Sequence, residues 1–325
     1  MLMKQESQVL WPTGAQLRSL AYKLGLKRKR VLVFADTPGW AFDRIYQGLS
    51  KYCVKWDVDV AYSYIHKPKL KKWDSYDKIL YLPHHEPLPL VKLVKNGLAK
   101  EKIIIAIRSE LDHPLYSDRQ LLESTCGTMA AANQRLFIKF QSMHSNVRLA
   151  PGGIDTNVFS YKRRVLGEKI RVGWAGNEEG WGAEFRGLDI IEKACEALGF
   201  KFNPALRSQK WRTQKEMVEY YHNDIDIYVE MSKSAGRQNG LLEAASTGVP
   251  IVSYNCGIAG ELIEDGINGY ILDERDVVLL ENRLLKTVKN YPKLSHRIMR
   301  TVHEKWSWRY HAKIFESIFA EACVG

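Results

Sequence analysis

The sequence predicts an α/β protein made of two doubly wound, Rossmann-like domains facing a cleft. Three observations carry this expectation. Short apolar runs alternate with helix-periodic stretches through both halves of the chain. The alternation is broken once, by the Pro151-Gly152-Gly153 segment. The length of 325 residues at 45% hydrophobic content suffices for two cores.

Residues 1–30 read as a basic extension. Leu17, Leu20, Ala21 and Leu24 have helical spacing, and Lys27-Arg28-Lys29-Arg30 closes the stretch. Such a segment suits a membrane surface, phosphates, or a short solvated helix leading into the first strand. The first domain then occupies 31–150. Val31–Ala35 has the apolar run of a buried parallel strand, Asp36-Thr37-Pro38-Gly39 is turn chemistry, and Trp40–Tyr52 is helix-periodic. Further strands are expected at Val58–Tyr64, Lys78–Leu82, Lys102–Ile107 and Val147–Leu149. A linker covers 151–166.

In the second domain, 167–304, strands are expected at Ile170–Trp174, Ile225–Val229 and Pro250–Tyr254, and helices at Asp189–Leu198, Gly240–Thr247 and Val277–Val288. A last helix lies within 305–325 and needs a surface to dock on, which the first domain offers. Two such halves place a ligand cleft between their strand C-termini.

Composition narrows the function classes. With 23 Gly, 11 Pro and 26% charged residues the chain is neither collagen-like nor disordered. No run approaches the ~18 apolar residues of a membrane span, and Met1–Pro12 has no secretory apolar stretch, so a cytoplasmic location is expected. The scattered Cys53, Cys126, Cys195, Cys256 and Cys323 read as buried thiols. The charge is uneven. Of 48 basic and 37 acidic residues, residues 1–150 hold 24 and 13, whereas residues 151–325 hold 24 of each. The whole +11 excess therefore lies in the first half, which suits an anionic partner such as DNA or an acidic membrane surface, or a generically basic soluble surface.

The most informative segment is Met231–Leu272. Gly236 and Gly240 permit a tight loop, and Leu241-Leu242-Glu243-Ala244-Ala245 opens a helix whose free N–H groups favour a diphosphate. Glu243, as a helix-surface carboxylate, could accept ribose hydroxyls and is expected to be dispensable for folding. Ser234, Gly236, Asn239, Leu242, Glu243, Ala244, Gly248 and Pro250, then Gly257, Glu261, Gly266, Asn268 and Gly269, resemble the donor-site signature of family 4 glycosyltransferases of the GT-B fold. Pro151–Thr156, Val172–Gly176, Phe185–Leu188 and Trp306-Ser307-Trp308 resemble that family's interdomain turn, first donor strand, phosphate loop and final-helix start. The resemblance runs from Asn146 onward and is architectural before it.

The resemblance implies transfer of a sugar from a nucleoside-diphosphate sugar, UDP-sugar favoured, with retention and with no cofactor or bound metal. Glu243 would bind the ribose, while Asn239, Gly240, Leu241 and Leu242 would offer backbone N–H groups to the diphosphate. Arg186 would stabilise the leaving diphosphate, with Gly39 in close approach to it. Three positions depart from the family: Ala235 replaces a sugar-contacting glutamate, so that contact is missing or is supplied by Arg237 or Gln238; Asn177 replaces a phosphate-binding arginine; and Arg108 falls near the usual histidine.

Two acceptors suit the basic half: DNA with hydroxymethylated bases, because Asp36–Asp43 resembles the opening of phage and viral chains, or a lipid-linked glycan at an acidic inner membrane. In these cases the chain would work in a host cytoplasm or peripherally at that membrane. A degenerate, ligand-binding homologue without turnover is the alternative.

Smaller signals complete the reading. His85, after a strand end, is a candidate acid or base beside Arg186 and Arg108. Lys67, Lys69, Lys71 and Lys72, flanked by aromatics, are candidates for contacting an anionic acceptor. Asp57-Val58-Asp59 and Asp224-Ile225-Asp226 spell a metal–nucleotide motif, but the alternation of acids in β-type runs reads as strands with one solvated face.

Overall fold

The computed structural model describes residues 28–63, 65–66, 70–82, 88–109, 118–179 and 182–321. The basic extension up to residue 27, together with His85, Lys67 and Lys69, lies outside them.

The first domain is a parallel six-stranded sheet. Its strands are β1 (Lys29–Ala35), β2 (Trp56–Tyr62), β3 (Lys78–Tyr81), β4 (Ile103–Ile107), β5 (Thr128–Ala131) and β6 (Val147–Leu149), ordered β2-β1-β3-β4-β5-β6. The order turns back at β1, so the loop after β1 opens at the switch point where ligands bind in such sheets. Helices α1 (Ala41–Tyr52), α2 (Leu70–Trp73), α3 (Leu88–Lys95), α4 (Arg119–Thr125) and α5 (Gln134–Gln141) connect the strands. Alternate strand residues feed two apolar layers. Leu32, Phe34, Ile103 and Ile105 meet Trp73, Leu93, Leu122 and Phe140 on one face. Val31, Val33, Ile104 and Ala106 meet Ile45 and Leu49 of α1 on the other.

Strand β1 begins earlier than the apolar run suggests. Lys29 and Arg30 pair with Trp56 and Asp57 of β2, and the Arg30 guanidinium reaches Asp59 at 2.7 Å. The acids of β2 thus sit beside basic strand partners. Asp226 likewise lies under Arg171, at 2.9 Å and 3.0 Å.

The second domain has a parallel sheet ordered β13-β12-β11-β7-β9. These strands are β7 (Arg171–Gly173), β9 (Lys201–Phe202), β11 (Ile227–Glu230), β12 (Ile251–Tyr254) and β13 (Tyr270–Leu272). The short β8 (Ala175–Gly176) and β10 (Ala205–Leu206) pair separately. Around them pack α6 (Gly182–Arg186), α7 (Leu188–Leu198), α8 (Gln214–Glu219), α9 (Asn239–Ser246), α10 (Ala259–Leu262), α11 (Val277–Lys289) and α12 (Tyr291–Lys305).

The chain crosses between domains twice, and the two crossings are paired. Ile154 N–H donates to the Trp306 carbonyl at 2.8 Å, and Trp308 N–H to the Ile154 carbonyl at 2.9 Å. The final helix α13 (Trp308–Ala320) then lies on the first sheet, where Trp308, Phe315 and Phe319 join the α1 layer. Gly48 of α1 makes this possible, because a Cβ there would stand 2.0 Å from the Trp308 ring. Asp155 ties the linker to α1 through Lys51 at 2.6 Å and Tyr52 at 2.7 Å. Among the described residues no helix is long and apolar enough to cross a membrane.

Candidate active site between the domains

A cleft of about 430 Å³ lies between the strand C-terminal ends of the two domains. From the first domain its wall is the loop after β1 and the start of α1. Gly39 has φ +80°, a conformation that favours glycine, and a Cβ there would sit 3.7 Å from Trp211 of the opposite domain. Asp43, buried in the first turn of α1, fixes this loop by accepting from Gly39 N–H at 2.9 Å, Gln47 at 2.6 Å and Tyr62 Oη at 2.5 Å.

The facing wall is α9. No side chain caps its N-terminus, so its first N–H groups and the positive end of its dipole are open to an anion. Arg186, at the end of α6, lines the same cleft, its Nε directed to the Asn177 carbonyl at 3.3 Å. Asn177 turns its own side chain to Glu179 N–H at 3.2 Å. Glu230, at the tip of β11, is buried and faces the cleft with its carboxylate held by Ser232 N–H at 3.0 Å and Oγ at 2.5 Å. Burial raises its pKa, and nearby Arg186 opposes that rise.

Several residues take places that the sequence does not reveal. Glu243 is not on an exposed helix face. It is 3% exposed and pairs with the Arg44 guanidinium of α1, across the domain boundary. Its second oxygen accepts from Tyr221 Oη at 2.9 Å. Tyr221 stands in a wide π-type turn, Tyr220–Asp224, which follows α8 and aims the hydroxyl at α9. Burial holds this phenol well above its ordinary range, so it stays protonated and donates.

Gln238 is buried and pinned between the Cys256 carbonyl at 3.1 Å and Ile258 N–H at 2.9 Å, so it braces the loop. Leu241 and Leu242 are wholly buried and do not line the cleft, which Asn239, Gly240 and Glu243 of the same helix do. Arg237 bonds Asn239 and the Gly153 carbonyl, and burial beside Arg108 and Arg44 lowers its pKa to about 9.

Arg108 does not line the cleft. Its guanidinium is buried beneath it, donating to the carbonyls of Ala150 and Pro151 at 2.8 Å each. That geometry assigns it to holding the linker instead of to the reacting groups. Lys71 and Lys72 are exposed on the short α2.

Among the described residues six basic side chains line the cleft, Arg44, Arg186, Arg207, Lys210, Arg212 and Arg237, against Glu230 and Glu243. Among the described residues, Arg44 is the one of these that comes from the first domain, and the other five come from the second half of the chain, whose net charge is zero. Arg207 spans its mouth, 4.0 Å from the Trp40 ring centre and 4.7 Å from that of Trp211. The run Arg207–Arg212 was the available sequence signal for this wall, and the neutral total of the second half hid it.

Comparison with known proteins bears on the fold. A glycosyltransferase from Rickettsia africae superposes over 92% of this chain and 100% of its own at 10% identity, with a TM-score of 0.70. HepE of Anabaena in complex with UDP superposes over 90% and 99% at 13% identity, with a TM-score of 0.65, and HepE with UDP-glucose at 0.64. The chain has the GT-B fold. Residues 180–290 match the family model described as Glycosyl transferases group 1. The Vi polysaccharide biosynthesis protein VipC/TviE of Salmonella typhi is 33% identical over 64 residues, which is 20% of this chain and 11% of that protein.

Proposed function

We propose that this GT-B protein is a glycosyltransferase that moves a sugar from a nucleoside-diphosphate sugar, a UDP-sugar, to a hydroxyl of a glycan acceptor. The carrying observation is the uncapped N-terminus of α9, facing the Asp43-braced Gly39 loop with Arg186 alongside. Helix N–H groups and a fixed cation stabilise the charge that grows on a diphosphate as the bond from sugar C1 to oxygen breaks. The acceptor oxygen bonds C1, and its proton passes to the departing diphosphate. The family 4 resemblance supports retention. The diphosphate and Arg186 carry the charge change in this reading. Glu230, the buried cleft carboxylate near Arg186, supplies the sugar contact that Ala235 lacks.

The HepE complexes with UDP and UDP-glucose support the donor class, and the match to a polysaccharide biosynthesis protein favours a glycan over DNA as acceptor. Thermal unfolding with UDP, GDP, ADP and CDP, each at the same high concentration, tests the donor site. A nucleotide whose dissociation constant lies ~100-fold below that concentration adds about 2.7 kcal/mol and raises the midpoint by several degrees. A shift with UDP and none with the others is expected, followed by turnover of a UDP-sugar. A shift without turnover would identify a ligand-binding homologue, and no shift with any nucleotide would sink the reading.

A further inference from the structure

The carboxylate best placed for a ribose is already engaged. Arg44 reaches over from α1 to Glu243, and Tyr221 holds the other oxygen at 2.9 Å. The two partners differ in freedom. The Glu243 side chain is 3% exposed and sits inside α9, whereas that of Arg44 is 21% exposed. The pair also stands between two spaces, because Arg44, Arg237, Asn239 and Glu243 line both the main cleft and a smaller cavity of about 130 Å³ behind it. Room on both sides lets a long guanidinium change partners without moving either helix.

The charge around the pair favours that exchange. Arg237 lies close enough to both Arg44 and Arg108 for their charges to interact, while Glu243 pairs with Arg44 and Asp43 acts on it from its own helix. A region with surplus positive charge gains when a second anion enters. A diphosphate at the α9 N-terminus, one helical turn from Glu243, offers Arg44 such an anion. A guanidinium suits either partner, since its planar fork matches carboxylate and phosphate alike.

We propose that Arg44 is a positioning and specificity residue that trades Glu243 for the donor's phosphates, freeing the carboxylate for the ribose hydroxyls only when phosphates are present. This rests on the nucleotide-sugar reading of the cleft. It makes Arg44 discriminate against nucleosides, which bring the ribose but no anion to draw the guanidinium away.

Calorimetric titration of uridine and UDP into wild type, Arg44→Met and Arg44→Lys tests it, with a melting curve of each variant to confirm folding. In Arg44→Met the UDP affinity is expected to fall roughly tenfold or more, the scale of a lost hydrogen bond to a charged group. Uridine affinity is expected to rise, because the Arg44 guanidinium then no longer competes for the Glu243 oxygen that Tyr221 leaves free. Arg44→Lys keeps a cation in place and should restore part of the UDP affinity while still rejecting uridine. These opposite signs separate the exchange from a structural role, which would move both ligands together. Parallel losses, or UDP affinity unchanged in Arg44→Met, would overturn the proposal. Failure of wild type to bind UDP at all would overturn the donor-site reading beneath it.

Discussion

The two loop-to-helix joins that face each other across the cleft are built on opposite plans. In the first domain the Gly39 N–H is taken by Asp43, and the same carboxylate holds Gln47 and Tyr62, so the loop is closed by its own side chains. In the second domain α9 begins with no side-chain cap, and Gln238, which occupies the cap position, turns away to the Cys256 carbonyl and Ile258 N–H. One join is a rigid wall and the other an open donor array. Charge divides in a different way. The first half carries the net excess of the chain, while among the described residues five of the six cations in the cleft come from the neutral second half. Net charge per domain therefore describes the outer surface and says little about the site, where a few side chains at strand ends decide the field.

The sharpest way to break this comparison is to remove the one carboxylate that links the two joins. Glu243→Ala leaves Arg44 and Tyr221 without their shared partner inside a buried region. Loss of one member of such a pair costs about 3–5 kcal/mol, against about 0.5 kcal/mol or less for a carboxylate on an open helix face. Denaturant unfolding should show the larger figure, together with loss of UDP binding. A change below 1 kcal/mol would mean that Glu243 is solvated in the working protein.

The fold was legible where residues repeat a single physical demand. Val31–Ala35 reads at once as a buried parallel strand, and both its faces are indeed buried in the two apolar layers. Thr128–Ala131 forms β5 with small residues whose apolar signal is too weak to read, and its register comes from β4 and β6 on either side. The two-residue strands β8 and β10 are equally silent.

At the site, the glycines and helix start around Asn239 were readable because backbone geometry demands particular residue types. Arg44 was not. On α1 it looks like any polar residue of an amphipathic helix, and its partner arrives from the other domain. Arg108 misled for the same reason. Its guanidinium is used by the linker carbonyls, which no local pattern announces.

A smaller effect sharpens the picture of buried positive charge beneath the cleft. His311 of α13 is 4% exposed, between the Trp306 and Tyr310 rings at 5.6 and 5.4 Å, and burial together with Arg237 and Arg108 lowers its pKa to about 3. It is therefore neutral when folded, while the unfolded chain binds a proton at about pH 6.5. Its contribution is intact above that pH and is lost progressively as the pH falls toward 3, at up to about 1.4 kcal/mol per unit. Unfolding free energies measured at pH 7.5, 6 and 5 should fall more steeply for wild type than for His311→Gln. Burial also lowers His222 and His303, but both proteins share these, so the difference isolates His311. Equal slopes would show that neither burial nor the neighbouring cations hold this ring neutral.

The mildest test concerns the mouth. Arg207 stacks between Trp40 of the first domain and Trp211 of the second, joining the closed join to the basic wall. Trp211 is 49% exposed, so this clasp works near solvent, where a cation over an aromatic ring is worth about 0.5–1 kcal/mol. Trp211→Ala should lower stability by no more than that and weaken UDP-sugar binding by about fivefold or less. Its signature is expected in the split between parameters, with KM rising and kcat unchanged, because the clasp holds the domains near each other without touching the bond that breaks. A large fall in kcat would instead place Trp211 against the reacting groups, and the wall it stands on would belong to the chemistry as well as to closure.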